Sequence, residues 1–229
     1  MWLPPVFAVP QSITGVEVLV DTYELVRDLE DRDSQKVIPV EEIEIIPTHR
    51  RNNILSFYQG QDVAVLQLDP QTPEQVDLLN RLPKVQLTEV NTADRPGVLG
   101  TAVGWGELSF AGPRPEVLQE VQLSLLTQRQ CQRIFPPAPL GEDVLCGSSR
   151  PPGTFFPVPA EELLGVCRGD SGGPLLANGE QVGVSSFTLG LPPGCARRIG
   201  YSGFVQLSQP QINRFIRLSA ASNGLIARL

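Results

Sequence analysis

Apolar and polar positions along this chain alternate in short runs, not in long helical stripes. Val16-Glu17-Val18-Leu19-Val20 alternates in part, and Val37-Ile38-Pro39-Val40-Glu41-Glu42-Ile43-Glu44-Ile45-Ile46 does so over a longer stretch. Further strand-like runs fall at 63–68, 98–105, 117–126, 174–177 and 181–187, and turn-rich stretches such as 109–115 and 136–141 separate them. Many short strands at such intervals predict an all-β sandwich or barrel. One helix stands out near the end. Ile212, Phe215 and Ile216 fall at i, i+3 and i+4 after Pro210, which predicts a helix from about Gln209 docked by one apolar stripe.

The 229 residues are enough for one larger domain or two small barrels sharing a core. With 21 glycines and 22 prolines, the chain is richer in turns than a helical protein would be. A net charge of −7 argues against a nucleic-acid or anionic-membrane partner, which would call for a basic face. No apolar run is long enough to span a bilayer, and the apolar opening of residues 1–10 has three prolines and no basic start, so it makes a poor signal peptide. The charged stretch 27–36 could hold calcium, but its interleaved Arg27 and Arg32 and its spacing favour a solvated hairpin tip. Four cysteines, Cys131, Cys146, Cys167 and Cys195, lack CxxC spacing and share the chain with one histidine, which disfavours a metal site. Two disulfides in an oxidising compartment is the better reading, four buried thiols the alternative.

The chemistry concentrates in Cys167-Arg168-Gly169-Asp170-Ser171-Gly172-Gly173-Pro174-Leu175-Leu176. A serine nucleophile needs a tight exposed turn and a base to take its proton. Glycines on both sides allow such a turn. The amides of Gly169 and Ser171 could then converge on a developing oxyanion. Taken alone, Gly-Asp-Ser-Gly is also a common surface turn; the full string is not.

That string resembles the chymotrypsin–trypsin family of serine proteases, and other segments resemble it in matching order from about Val16 to Ile216. Gly60-Gln61-Asp62-Val63-Ala64-Val65-Leu66-Gln67-Leu68 is similar to the segment bearing the family's catalytic aspartate. Val103-Gly104-Trp105-Gly106 and the strand from Val117 are similar to the start of its second barrel. The resemblance implies two antiparallel six-stranded β-barrels, the first incomplete at its N-terminus, and a short C-terminal helix. Residues 1–98 would form the first barrel with Asp62, and residues 99–229 the second with Ser171. It further implies pairing of Cys131 with Cys146 and of Cys167 with Cys195. Gly169 and Ser171 would form the oxyanion hole. Asp170 would be the partner of an activation amine, and Gly165, Ser185 and Phe187 would lie around the substrate pocket. With Gly165 and no acid at the pocket floor, cleavage after apolar residues is expected, not after Lys or Arg. Phe187 would narrow the pocket, while Gly200 and Gly203 compete for its opposite wall beside an unusual insertion at 154–164. No cofactor or metal is implied. The partners implied are polypeptide substrates, a protein inhibitor and an activating protease, in an extracellular or periplasmic setting.

Two departures from the family pattern matter. The family's catalytic histidine belongs well upstream of the aspartate, near residues 4–7 here, yet the one histidine is His49, in a variable surface strand. The chain also starts without the small-apolar activation sequence whose amine would pair with Asp170, so that carboxylate is expected to lack its cation. One cause would explain both: a missing piece before residue 1. Three functional readings follow. They are an endopeptidase whose record is truncated and whose chain as written is inactive, a non-catalytic homologue acting as a binding or regulatory module, and a fragment that does not fold.

Overall fold

The computed structural model describes residues 15–25, 33–50, 55–89, 94–134, 140–150, 164–189, 195 and 201–221. The expected histidine slot at 4–7, most of the insertion at 154–164, part of the charged stretch 27–36, and Gly200 lie outside these residues.

The first half is built on a three-stranded antiparallel sheet of β1 (Glu17–Leu19), β2 (Val37–Ile45) and β3 (Ala64–Leu68). β1 meets β2 with Val18 opposite Ile38, and β2 meets β3 with Ile43 opposite Leu66. A short helix α1 (Leu55–Tyr58) precedes β3. Helix α2 (Pro73–Arg81) follows β3. Its start has a local cause: Thr72 caps it by accepting the Gln75 amide, and Pro73 fixes the first helical φ. The buried Gln75 then donates to the carbonyls of Ser34 and Val37, at 3.2 and 3.0 Å, which pins the helix to the start of β2.

The second half closes into a barrel. Its strands are β5 (Leu99–Gly104), β6 (Gln119–Leu125), β7 (Val144–Ser148), β8 (Pro174–Ala177), β9 (Glu180–Leu189) and β10 (Tyr201–Gln206). Neighbours run β10-β7-β6-β5-β8-β9, and β9 pairs back to β10, so six antiparallel strands close a ring. The short β4 (Gln86–Leu87) adds to β9 in parallel. Inside the ring, Leu123, Leu175, Val182 and Phe204 are fully buried, each burial worth about 1.5–3 kcal/mol. Helix α3 (Gln128–Ile134) lies beside β7, and α4 (Pro210–Ala221) closes the chain. Ile212, Phe215 and Ile216 of α4 pack with Val205 and Leu207, and with Ile46 and Val63 from the first half. That cluster is the seam between the halves.

The predicted strands reappear within one or two residues at each end, and the predicted terminal helix is α4. Sequence patterning missed β4, β7, β10 and helices α1, α2 and α3. β7 is buried at every residue, so its Val-Leu-Cys-Gly-Ser run carries no alternation to read.

Candidate active site

Ser171 stands exposed on a turn between Cys167 and β8. The turn is stitched from within: the Asp170 amide donates to the Cys167 carbonyl at 3.1 Å, and the Gly173 amide to the Asp170 carbonyl at 2.9 Å. Gly169 takes φ +102°, a backbone region that side chains disfavour, which accounts for glycine there. Among the described residues, the amides of Gly169 and Ser171 meet no acceptor. They remain available to an incoming oxygen.

Asp170 turns inward beneath this turn. Its carboxylate accepts the Gly106 amide at 2.7 Å and the Cys167 amide at 2.8 Å. No cation pairs with it among the described residues. The Asp170 carboxylate is thus met by two backbone donors, a charge-assisted arrangement. This also explains the Gly-Trp-Gly run. A methyl group at Gly104 or Gly106 would collide with the Asp170 carboxylate, so only glycine leaves it room.

Strand β9 runs alongside the Ser171 turn and reaches Asp62. The Gly172 amide donates to the Ser185 carbonyl, and the Ser185 amide to the Gly173 carbonyl, both at 2.8 Å. The next residue, Ser186, donates its hydroxyl to Asp62 Oδ2 at 2.6 Å. Two successive residues of one strand therefore touch the serine turn and the aspartate. Burial pushes the Asp62 carboxyl above the usual carboxylate range, while the Ser186 hydrogen bond and the field of His49 pull it back. His49 makes no hydrogen bond to Ser171 or Asp62 among the described residues. Its Nδ1 lies 2.7 Å from the Gln61 carbonyl, and its ring meets Phe57 edge-on.

Both disulfides form as expected. Cys131 joins Cys146 with Cα atoms 5.8 Å apart, and Cys167 joins Cys195 at 4.6 Å. The second anchors the approach to the serine turn. Glu107 lies near the sulfurs of Cys167 and Cys195, the one cluster of potential metal ligands among the described residues, but the disulfide leaves no thiolate to bind a metal.

The trypsin family model matches residues 15–215, nearly the whole described chain. The chain belongs to the trypsin family. It is 32% identical to chymotrypsin-2 of Vespa crabro over 130 residues, 55% of this chain and 52% of that protein. It is also 32% identical to cathepsin G of Homo sapiens over 140 residues, 60% of this chain and 49% of that protein. The chain spans about half the length of these relatives. Among solved structures, neuropsin, a serine protease of mouse brain, superposes with a TM-score of 0.60 at 20% identity. The superposition covers 80% of this chain and 71% of neuropsin, and it supports the fold.

Around this trypsin-family site, the remaining expected residues fall as follows. Gly165 is half-buried, and the next amide, Val166, donates to the buried Ser202 hydroxyl at 3.3 Å, which ties the Gly165 loop to β10. Ser185 is buried with its main chain on the serine turn. Phe187 pairs with Gly203 across β9 and β10, lays its ring on the Gly203 Cα, and meets Tyr58 edge-on with centroids 5.2 Å apart. Ser186 was not among the candidates. Its hydroxyl on Asp62 depends on which way β9 faces, and two adjacent serines cannot be told apart by sequence.

Proposed function

We propose that this chain carries most of a secreted serine endopeptidase domain, with Ser171 as nucleophile and Asp62 as the carboxylate that orients a histidine. What supports this is β9, whose Ser185 meets the Ser171 turn while Ser186 holds Asp62. In the reaction, a base takes the Ser171 Oγ proton as Oγ attacks the substrate carbonyl. The oxyanion settles between the Gly169 and Ser171 amides. The base then protonates the leaving amine, and water releases the acyl group by the same steps. Asp62 would hold the imidazole by its second oxygen and stabilise the imidazolium. Residues 1–98 form the Asp62 unit and residues 99–229 the Ser171 unit. Gly165 leaves the pocket without an anion, so apolar side chains are preferred over Lys and Arg before the cleaved bond. The setting is extracellular or periplasmic, with protein inhibitors and an activating protease as further partners.

The 229 residues by themselves are inactive in this proposal. Their one histidine is engaged with the Gln61 carbonyl and Phe57, and in this reading it does not serve Ser171 as a base. In another serine protease, losing the histidine alone costs on the order of 10⁶ in kcat. A second reading, a non-catalytic homologue acting as a binding or regulatory module, draws on that same lack of a base. The two separate by fluorophosphonate labelling of the chain as given, beside a chain extended upstream by a segment bearing a histidine and a free activation amine. Labelling of Ser171 in the extended chain alone supports the endopeptidase. Two folded, unlabelled chains support the binding module.

A further inference from the structure

The hairpin of β8 and β9 joins the serine turn to Asp62. β8 begins at Pro174, directly after that turn, and β9 runs on to Ser185 and Ser186. At the far tip Ala177 pairs with Glu180, so Asn178 and Gly179 alone make the turn. Both take positive φ, +52° and +82°, as a two-residue turn of the primed kind requires. Both are exposed, and a methyl group added at Gly179 would meet nothing within 4 Å. Among the described residues, neither the Asn178 side chain nor the Gly179 amide has a hydrogen-bond partner. The Asn178 carboxamide and the next main-chain nitrogen are therefore neighbours in an open place, with no side chain on Gly179 to keep them apart.

We propose that Asn178 is a self-modification site, where the folded chain ages to isoaspartate with water as the co-reactant. The Gly179 nitrogen loses its proton and bonds to Asn178 Cγ. The bond from Cγ to the side-chain nitrogen breaks, and ammonia leaves with that proton. Water then opens the five-membered imide at one of its two carbonyls. Opening at the former side-chain carbonyl gives aspartate. Opening at the other leaves the main chain running through the former side chain, one carbon longer. That carbon disturbs a turn whose two residues fix the register of the flanking strands. The new carboxylate also stands two positions from Glu180, on a chain already at net charge −7. The hairpin thus carries a clock that loosens β8 and β9 from the tip, and it requires nothing of Ser171.

The test incubates the purified chain at mildly alkaline pH, folded and in urea, with Asn223→Gln to remove the other Asn-Gly pair of the sequence. Peptide mapping follows the loss of Asn178, and an isoaspartate methyltransferase labels the product. Asn178 should disappear from the folded chain at a rate within about tenfold of that in urea, a difference of about 1.4 kcal/mol in barrier. The rate should rise with pH, because the attacking nitrogen must shed its proton. Asn213, whose side chain donates to the Thr88 and Leu207 carbonyls and which precedes Arg214, should stay intact over the same period. Asn178→Gly, which keeps a two-residue glycine turn, should abolish the label. In the aged chain hydrogen exchange should quicken from Leu176 to Gln181 and stay slow in β6 and β7. Asn178 that outlasts its urea-unfolded counterpart by more than about tenfold overturns the proposal, because the fold then protects the tip. A label that survives Asn178→Gly overturns the assignment to this residue. Modification with unchanged exchange at the hairpin overturns the claim that it loosens β8 and β9.

Discussion

The two halves of the molecule are stabilised in different ways. The second closes six strands into a ring, fills it with Leu123, Leu175, Val182 and Phe204, and adds both disulfides. The first has three strands among the described residues, and two of its buried apolar residues, Ile46 and Val63, complete a cluster with β10 and α4 of the other half. Leu66, in the middle of β3, is 44% exposed. The Ser171 turn therefore sits on the closed ring, whereas Asp62, next to Val63, is held in place by the seam and by Ser186. The lesson is that the serine turn can be fully built on one half while Asp62, which Ser186 reaches, depends on the contact between the halves.

The sharpest way to break this comparison is to cut into each core. Phe204→Ala should cost about 3–5 kcal/mol and unfold the molecule in a single urea transition, because the ring closes around that residue. In a matched pair of truncations, Leu175→Ala in the ring should cost about 4–5 kcal/mol and Ile46→Ala at the seam only about 2 kcal/mol, the two ends of the range for buried aliphatic residues. Equal losses would mean that the halves share one core and the contrast is false.

A smaller effect is expected beneath the serine turn. Gly106→Ala places a methyl group into the Asp170 carboxylate, and overpacking of this kind costs about 1–3 kcal/mol. Hydrogen exchange should quicken at the Cys167 and Gly106 amides, which Asp170 holds, while β6 and β7 stay protected. Unchanged exchange at these amides would remove the two-amide account of Asp170.

The smallest effect sharpens the seam and concerns pH. Burial raises the Asp62 carboxyl above its unfolded value near 3.8, so the folded chain keeps that proton to higher pH than the unfolded chain does. Stability therefore falls as pH rises through that window, and the penalty is complete above it. Asp62→Asn, which still offers Ser186 an acceptor, should raise the melting temperature near neutral pH, with the gain vanishing below the unfolded value. A gain independent of pH would show that Asp62 is not the group responsible.

What the sequence could reveal follows from which contacts are local. The serine string and the strand opened by Asp62 were legible because a turn or a short strand carries each within ten or so residues, whereas the cysteine pairs, 15 and 28 positions apart, were legible only through the family resemblance. The Thr72 cap with Pro73 at the first helical position was also present to be read, but α2 buries no apolar stripe of its own; Gln75 anchors it. Ser186 and the glycine cradle around Asp170 were not legible. Each joins residues far apart in the chain, 124 positions for Ser186 and Asp62 and 64 for Gly106 and Asp170, and only closure of the barrel brings them together.

The central proposal is that the Ser171 turn meets no base within these 229 residues, and hydrolysis of an apolar peptide substrate tests it most directly. The purified chain, its Ser171→Ala variant and its His49→Ala variant should give the same rate, indistinguishable from buffer. Turnover by the unaltered chain that disappears with Ser171→Ala would contradict the account, and its further loss with His49→Ala would identify His49 as the base.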